Sequence, residues 1–118
     1  MKIVKANTIE QQLFTAGDTK AITLLSDFEY EDGSKPENNR RLLEVETYKN
    51  SSRGWVTVVR LCWYDDDRKY YSQIAFQYSY MQEHQEIKRG TPKLVNAAHL
   101  KVLENKEQFF IDMVKKKD

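Results

Sequence analysis

Residues 54–80, GWVTVVRLCWYDDDRKYYSQIAFQYSY, place two aromatic-rich runs on either side of an acidic turn. Side chains of a strand alternate between its two faces, so each run sorts into one apolar and one mixed side. Trp55, Thr57, Val59, Leu61 and Trp63 share one face of the first run. Tyr70, Ser72, Ile74, Phe76 and Tyr78 share one face of the second. This pattern predicts a long antiparallel hairpin, with strands over about 55–64 and 69–81, at the centre of the fold.

The flanking segments extend the same logic. Residues 20–30 alternate, with Ile22, Leu24, Phe28 and Tyr30 on one side and Asp27 and Glu29 on the other, which predicts a half-buried strand. EDGSKPENN at 31–39 concentrates turn formers and reads as an exposed loop. A strand follows over about 41–49, with Leu43, Val45 and Thr47 inward, and Asn50-Ser51-Ser52-Arg53-Gly54 returns the chain. Pairing Lys49 with Trp55 sets Val45 opposite Val59, Leu43 opposite Leu61 and Glu44 opposite Arg60. The Glu44–Arg60 pair is expected to contribute less than about 1 kcal/mol. Pairing Trp63 with Tyr70 sets Val59 opposite Ile74 and Thr57 opposite Phe76, and makes Tyr71 the neighbour of Cys62.

Helices are expected at both ends. Thr8 with Gln11 three residues on has the form of a capping box, and Gly17 of a terminator, giving a short helix over about 8–15. Near the other end Thr91-Pro92 or Asn96 starts a helix, and Asn105 with Gln108 restarts it. Val102, Leu103, Phe109, Phe110, Met113 and Val114 recur at spacings that form an apolar stripe, so a helix or helix pair over about 96–115 should cover the apolar sheet face. The expected architecture is a single α+β domain, an antiparallel four-stranded β-meander with N- and C-terminal helices packed on one face.

Length and charge narrow the function classes. A chain of 118 residues with two tryptophans, seven tyrosines and five phenylalanines is large and aromatic enough for one core without staples. Its 19 Lys and Arg nearly cancel its 18 Asp and Glu, so no global field draws in nucleic acid or an anionic membrane. Cys62 is the only cysteine, which excludes an internal disulfide, and no apolar run matches a signal peptide or a membrane span. These features predict a cytoplasmic protein.

No motif for catalysis, metal or phosphate stands out. Cys62 lies mid-strand without a base beside it in sequence and reads as a small structural hydrophobe. His84 and His99 with one cysteine match no zinc spacing and read as surface or helix-flank residues. The isolated glycines exclude a phosphate-binding loop. Paired carboxylates such as Glu44 with Glu46 read as an exposed strand face, and neither a cofactor nor a metal is expected.

What remains is surface. The face opposite the core should carry Glu44, Glu46, Tyr48, Val56, Val58, Arg60, Cys62, Tyr71, Gln73 and Gln77, and be mixed and wet. Tyr48, Arg60, Tyr64, Tyr71 and the hairpin tip Asp65, Asp66 and Asp67 are the candidate partner-binding residues, since tyrosine and arginine are favoured anchors. They point to a small non-enzymatic protein-binding module of the inhibitor, immunity or adaptor kind, such as phages or mobile elements carry. The alternative is single-stranded nucleic-acid binding through a rim of Arg40, Arg41, Lys88, Arg89 and Lys93. Exposed strand edges also allow a homodimer.

Gly54-Trp55, Arg60, Trp63 and Lys69-Tyr70, in a chain of four expected strands and a terminal helix, give a layout that resembles single-stranded-DNA-binding transcriptional coactivators and their bacterial relatives. The resemblance implies the nucleic-acid alternative. The hairpin here lacks a basic surface, so the chain is not assigned to that family.

Overall fold

A computed structural model describes the backbone of residues 3–34, 41–65, 70–72 and 78–117, and the side chains of residues 5–26, 28–34, 42–62 and 79–113. The fold is α+β. Strands β1 (Ile3–Gln12), β2 (Lys20–Tyr30), β3 (Arg41–Asn50), β4 (Gly54–Asp65), β5 (Tyr70–Ser72) and β6 (Tyr78–Glu83) precede helices α1 (Pro92–Leu103) and α2 (Lys106–Lys117). The strands form one curled, six-stranded antiparallel sheet in the order β1-β2-β3-β4-β5, with β6 also alongside β4. Both helices are C-terminal.

The expected register of the central pair is found. Lys49 faces Trp55, Val45 faces Val59, Leu43 faces Leu61 and Glu44 faces Arg60. Three features hold it. Asn50 Oδ1 accepts from the amides of Ser52 and Arg53, Gly54 takes a positive φ of 80° to close the turn, and the inward face, Leu43, Val45, Thr47, Thr57, Val59 and Leu61, is buried throughout.

The N-terminal segment is a correction, because residues 8–12 of the helix expected over about 8–15 belong to β1 and pair with β2 from Gln12↔Ile22 outward, and residues 13–15 lead into the turn. A two-turn helix is too short to be stable on its own, whereas a strand on an open sheet edge satisfies its backbone at once. Gly17, with φ of 96°, lies in the turn between β1 and β2 rather than at the end of a helix, and Asp18 accepts from the Thr15 amide at 3.0 Å across the hairpin loop.

The inward face of β2 is also the reverse of that expected. Ala21, Thr23 and Leu25 are buried, while Ile22 and Leu24 are half-buried on the other face. A register shift between Lys5 and Asn7 of β1 places one extra residue in β2, and this bulge flips the alternation so that Phe28 returns to the core.

Beyond the acidic turn the register differs as well. Tyr70 faces Asp65 rather than Trp63, Tyr71 faces Tyr64 rather than Cys62, and Ser72 faces Trp63. Val59 faces Tyr80 and Thr57 faces Gln82, where Ile74 and Phe76 were expected. The expected single strand is thus two stretches, β5 and β6, each pairing with its own part of β4.

The start of α1 resolves in favour of Thr91-Pro92. Thr91 Oγ1 accepts from the Leu94 amide, and proline occupies the first helical position, where its missing N–H costs nothing. Asn96 lies inside the helix. Its amide clamps the backbone of Phe14, accepting from Phe14 N at 2.7 Å and donating to Phe14 O at 2.8 Å. The restart at Asn105 is present, its carbonyl accepting from Phe109 N at the head of α2.

The helices cover one sheet face with two apolar clusters. Leu25, Phe28, Leu43, Val45, Val59 and Leu61 meet Val102, Phe110 and Met113, with Phe28 and Phe110 stacked at 3.7 Å between centroids. Phe14, Ala21, Trp55 and Ile87 meet Val95 and Ala98, with Phe14 edge-on to Trp55 at 5.7 Å. Gly90 lies against the Trp55 ring, and a Cβ there would overlap it. Gly90→Ala is therefore expected to cost about 1–3 kcal/mol through overpacking. Urea denaturation checks this: the midpoint should fall with no change of slope.

Candidate functional site: a buried hydroxyl–imidazole chain and an open sheet edge

Three threonines lie on the inward face of adjacent strands, in the layer that separates the two apolar clusters: Thr23 of β2, Thr47 of β3 and Thr57 of β4. All three are fully buried, so each hydroxyl needs partners. Helix α1 supplies one. His99 lies on its buried stripe between Val95 and Val102 and is 0% exposed.

His99 Nε2 is 2.8 Å from Thr23 Oγ1, and its Nδ1 is 2.9 Å from Thr47 Oγ1. The Thr47 and Thr57 hydroxyls are 2.6 Å apart, and Thr57 Oγ1 is 2.6 Å from His84 Nε2. His84, 4% exposed, follows β6, and its backbone amide donates to Trp55 O. The chain ends at the surface on both sides. Gln11 Nε2 donates to Thr23 Oγ1 at 3.0 Å, and His84 Nδ1 is 3.7 Å from the exposed Glu86 carboxylate.

One direction leaves no hydroxyl proton unused. The Gln11 nitrogen only donates, so Thr23 accepts from it, and in this direction its own proton goes to His99 Nε2. His99 then carries its proton on Nδ1 and donates to Thr47, Thr47 donates to Thr57, and Thr57 donates to His84 Nε2. His84 is left with its proton on Nδ1, facing Glu86. In this arrangement every hydroxyl accepts once and donates once, and each bond polarises the next.

Both imidazoles are held neutral. Burial, with a smaller contribution from His84, lowers the His99 pKa to about 4. Burial also lowers that of His84, which Glu86 partly offsets and Lys101 reinforces. The expectation that both histidines are surface or helix-flank residues is therefore corrected. The signal was present in the sequence: Val95, His99 and Val102 share one helical stripe, and Thr47 and Thr57 were already assigned inward.

The opposite sheet face carries the expected ion pair in a larger network. Arg60 Nη1 is 2.9 Å from Glu44 Oε1 and 3.3 Å from Glu46 Oε1, and Lys20 Nζ is 3.0 Å from Glu46 Oε2. Burial opposes the charged guanidinium, but Glu46 and Glu44 outweigh it and hold Arg60 above its ordinary range. Arg60 is thus engaged within the sheet, and Tyr48 is half-buried. The face is drier than expected, because Leu42, Val56, Val58 and Cys62 are buried on it. Burial, with Glu44, pushes the Cys62 thiol up to about 11, so it is protonated at neutral pH.

The remaining candidate residues divide. Tyr64 and Asp65 lie in β4 and Tyr71 in β5, at backbone level only, while Asp66, Asp67 and Arg40 are outside the described residues. Arg41 faces Trp63 in the register. Lys88, Arg89 and Lys93 are exposed around the start of α1, whose first turn has no acidic residue. Among the described residues no three His, Cys, Asp or Glu side chains converge as a metal site, and no helix is long and apolar enough to cross a membrane.

The two sheet edges differ. β1 carries three register shifts against β2, which break up its pairing edge. β6 pairs with β4 without a shift from Val56↔Glu83 to Leu61↔Tyr78, and no described strand lies on its outer side. Its side chains are propped. Tyr80, 37% exposed, tilts over Phe109 at 4.5 Å and donates to Gln82 Oε1, while Met81, 42% exposed, holds its sulfur 3.0 Å from Arg53 Nη1.

Comparisons with protein-family models, with characterised proteins and with solved structures returned no match for this chain.

Two measurements check the buried chain. Long-range proton–nitrogen NMR should find both His84 and His99 protonated on Nδ1. Thr47→Val should cost about 1–3 kcal/mol, because it leaves the His99 Nδ1 proton without an acceptor and takes away the donor to Thr57. A double-mutant cycle with Thr57→Val should give a non-additive term.

Proposed function

We propose that this chain is a non-enzymatic protein-binding module that receives an extended segment of its partner along β6. The observation that carries this reading is the contrast between the edges: β1 is bulged, whereas β6 is regular and bears two ordered apolar side chains on opposite faces. Strand addition draws affinity from main-chain hydrogen bonds and selectivity from the alternate side chains. Tyrosine, methionine and arginine are the residue types enriched in interface centres, and Tyr80, Met81 and Arg53 supply one of each. β5 pairs with β4 on the same side as β6, with Tyr71 opposite Tyr64 in the register. An inhibitor or adaptor role follows from such a surface, because it occupies a partner without transforming it.

Lys88, Arg89 and Lys93 support a second reading, single-stranded nucleic-acid binding beside the start of α1. Pull-downs with the full chain, with and without nuclease, separate the two. A protein partner should survive nuclease and moderate salt, and titration with that purified partner should weaken at least 30-fold in Tyr80→Ala/Met81→Lys, the scale of losing a hot spot. Capture that needs nucleic acid, falls steeply with salt and is lost on reversing Lys88, Arg89 and Lys93 supports the second reading instead. Sedimentation of the isolated chain tests whether a second copy occupies the edge.

A further inference from the structure

Helix α1 is the only described helix seated on the sheet through a polar group. Its buried residues are Val95, Ala98, His99 and Val102, whereas α2 inserts Phe110 and Met113 among apolar side chains. The groups facing His99 are the Thr23 and Thr47 hydroxyls of β2 and β3. Beyond them the charged or titratable neighbours are His84, itself faced by Glu86 from its own loop and by Lys101 from α1. No carboxylate of the described residues faces His99, so an imidazolium there has neither water nor a counter-ion.

A proton on either ring also breaks the one-way order. With both His99 nitrogens donating, Thr23 receives two donors and its own proton loses its acceptor. A charge on His84 opposes one on His99. On the undocked helix His99 meets water and takes up its proton in the ordinary imidazole range.

We propose that α1 is an acid-released cap: protonation of the hydroxyl-bound histidines detaches it from the sheet and bares the Phe14–Trp55 cluster, while α2 stays seated. The flanking segments permit this. Residues 84–91 precede the helix without regular structure, and Glu104-Asn105 separate it from α2. The Asn96–Phe14 clamp carries no titrating group, so it opposes release equally at every pH.

The sign is set by linkage. The pKa of His99 is lower docked, about 4, than undocked, 6.5, so α1 is held fully above pH 6.5 and loses hold as the pH falls toward 4. For this one group the undocking constant rises about tenfold per pH unit inside that window, or roughly 20-fold between pH 7 and pH 5.

Hydrogen exchange on the full chain at pH 7 and pH 5, corrected for intrinsic rates, reads the effect. The expected result is a roughly 20-fold or larger loss of protection in α1, with β3, β4 and α2 unchanged. Acrylamide should quench Trp55 more at pH 5 in a Trp63→Phe background, and His99→Gln should remove most of the pH dependence. Equal protection of α1 at both pH values, parallel loss across β3 and β4, or an unaltered pH dependence in H99Q overturns the proposal. If H99Q does not fold, the wild-type imidazole resonances decide: His99 neutral in the folded protein at pH 5.5 supports it, and half-titration near pH 6.5 overturns it.

Discussion

One imidazole sets the layout of this fold. His99 reaches from α1 to hydroxyls on two different strands and joins them into one chain. A buried histidine between threonines contributes little net energy compared with an apolar contact, because each new hydrogen bond replaces one to water. The penalty for misplacing it is larger. Sliding α1 by one turn, or slipping β2 or β3 by one residue, leaves buried donors and acceptors without partners. The apolar clusters on either side, one around Phe28 and Phe110 and the other around Phe14 and Trp55, tolerate many arrangements of similar volume. The polar layer between them selects one.

The parts of this architecture legible in the sequence are those governed by local pattern. The register of β3 on β4 follows from a short turn and a clean alternation, and Glu44 meets Arg60 as that register requires. Thr91-Pro92 and the helix restart at Asn105 carry their chemistry in neighbouring residues. The parts that were not legible depend on distant partners. β1 has helix-capping residues but is claimed by the open edge of β2, a choice made ten or more positions away in the chain. The bulge that turns Leu25 and Phe28 to the same side is visible only once two strands are aligned. For the candidate site, Thr47 and Thr57 were placed inward correctly, yet each histidine was judged by its neighbours in sequence rather than by its place on a buried stripe.

The two faces of the sheet treat charge differently, and this divides their roles. On the face opposite the helices Arg60, Glu44, Glu46 and Lys20 neutralise one another at short range. A group so engaged is a poor anchor for a partner, since recruiting it requires breaking pairs that are already partly shielded from water. At β6 Glu83 pairs with Arg53, but the side chains offered to a partner, Tyr80 and Met81, carry no charge to be unpaired. Tyr80 and Met81 are held in place by Phe109 and Arg53 while leaving much of their surface open, so little ordering is needed when something meets them.

The Asn96 clamp on Phe14 spans 82 positions in the sequence. The first hairpin leaves the Phe14 amide and carbonyl for a side chain that is synthesised much later. That gives the protein a high share of non-local closure, which slows folding relative to a fold built from neighbours. The first hairpin thus emerges well before the helix that locks it, and it holds an open edge strand while it waits.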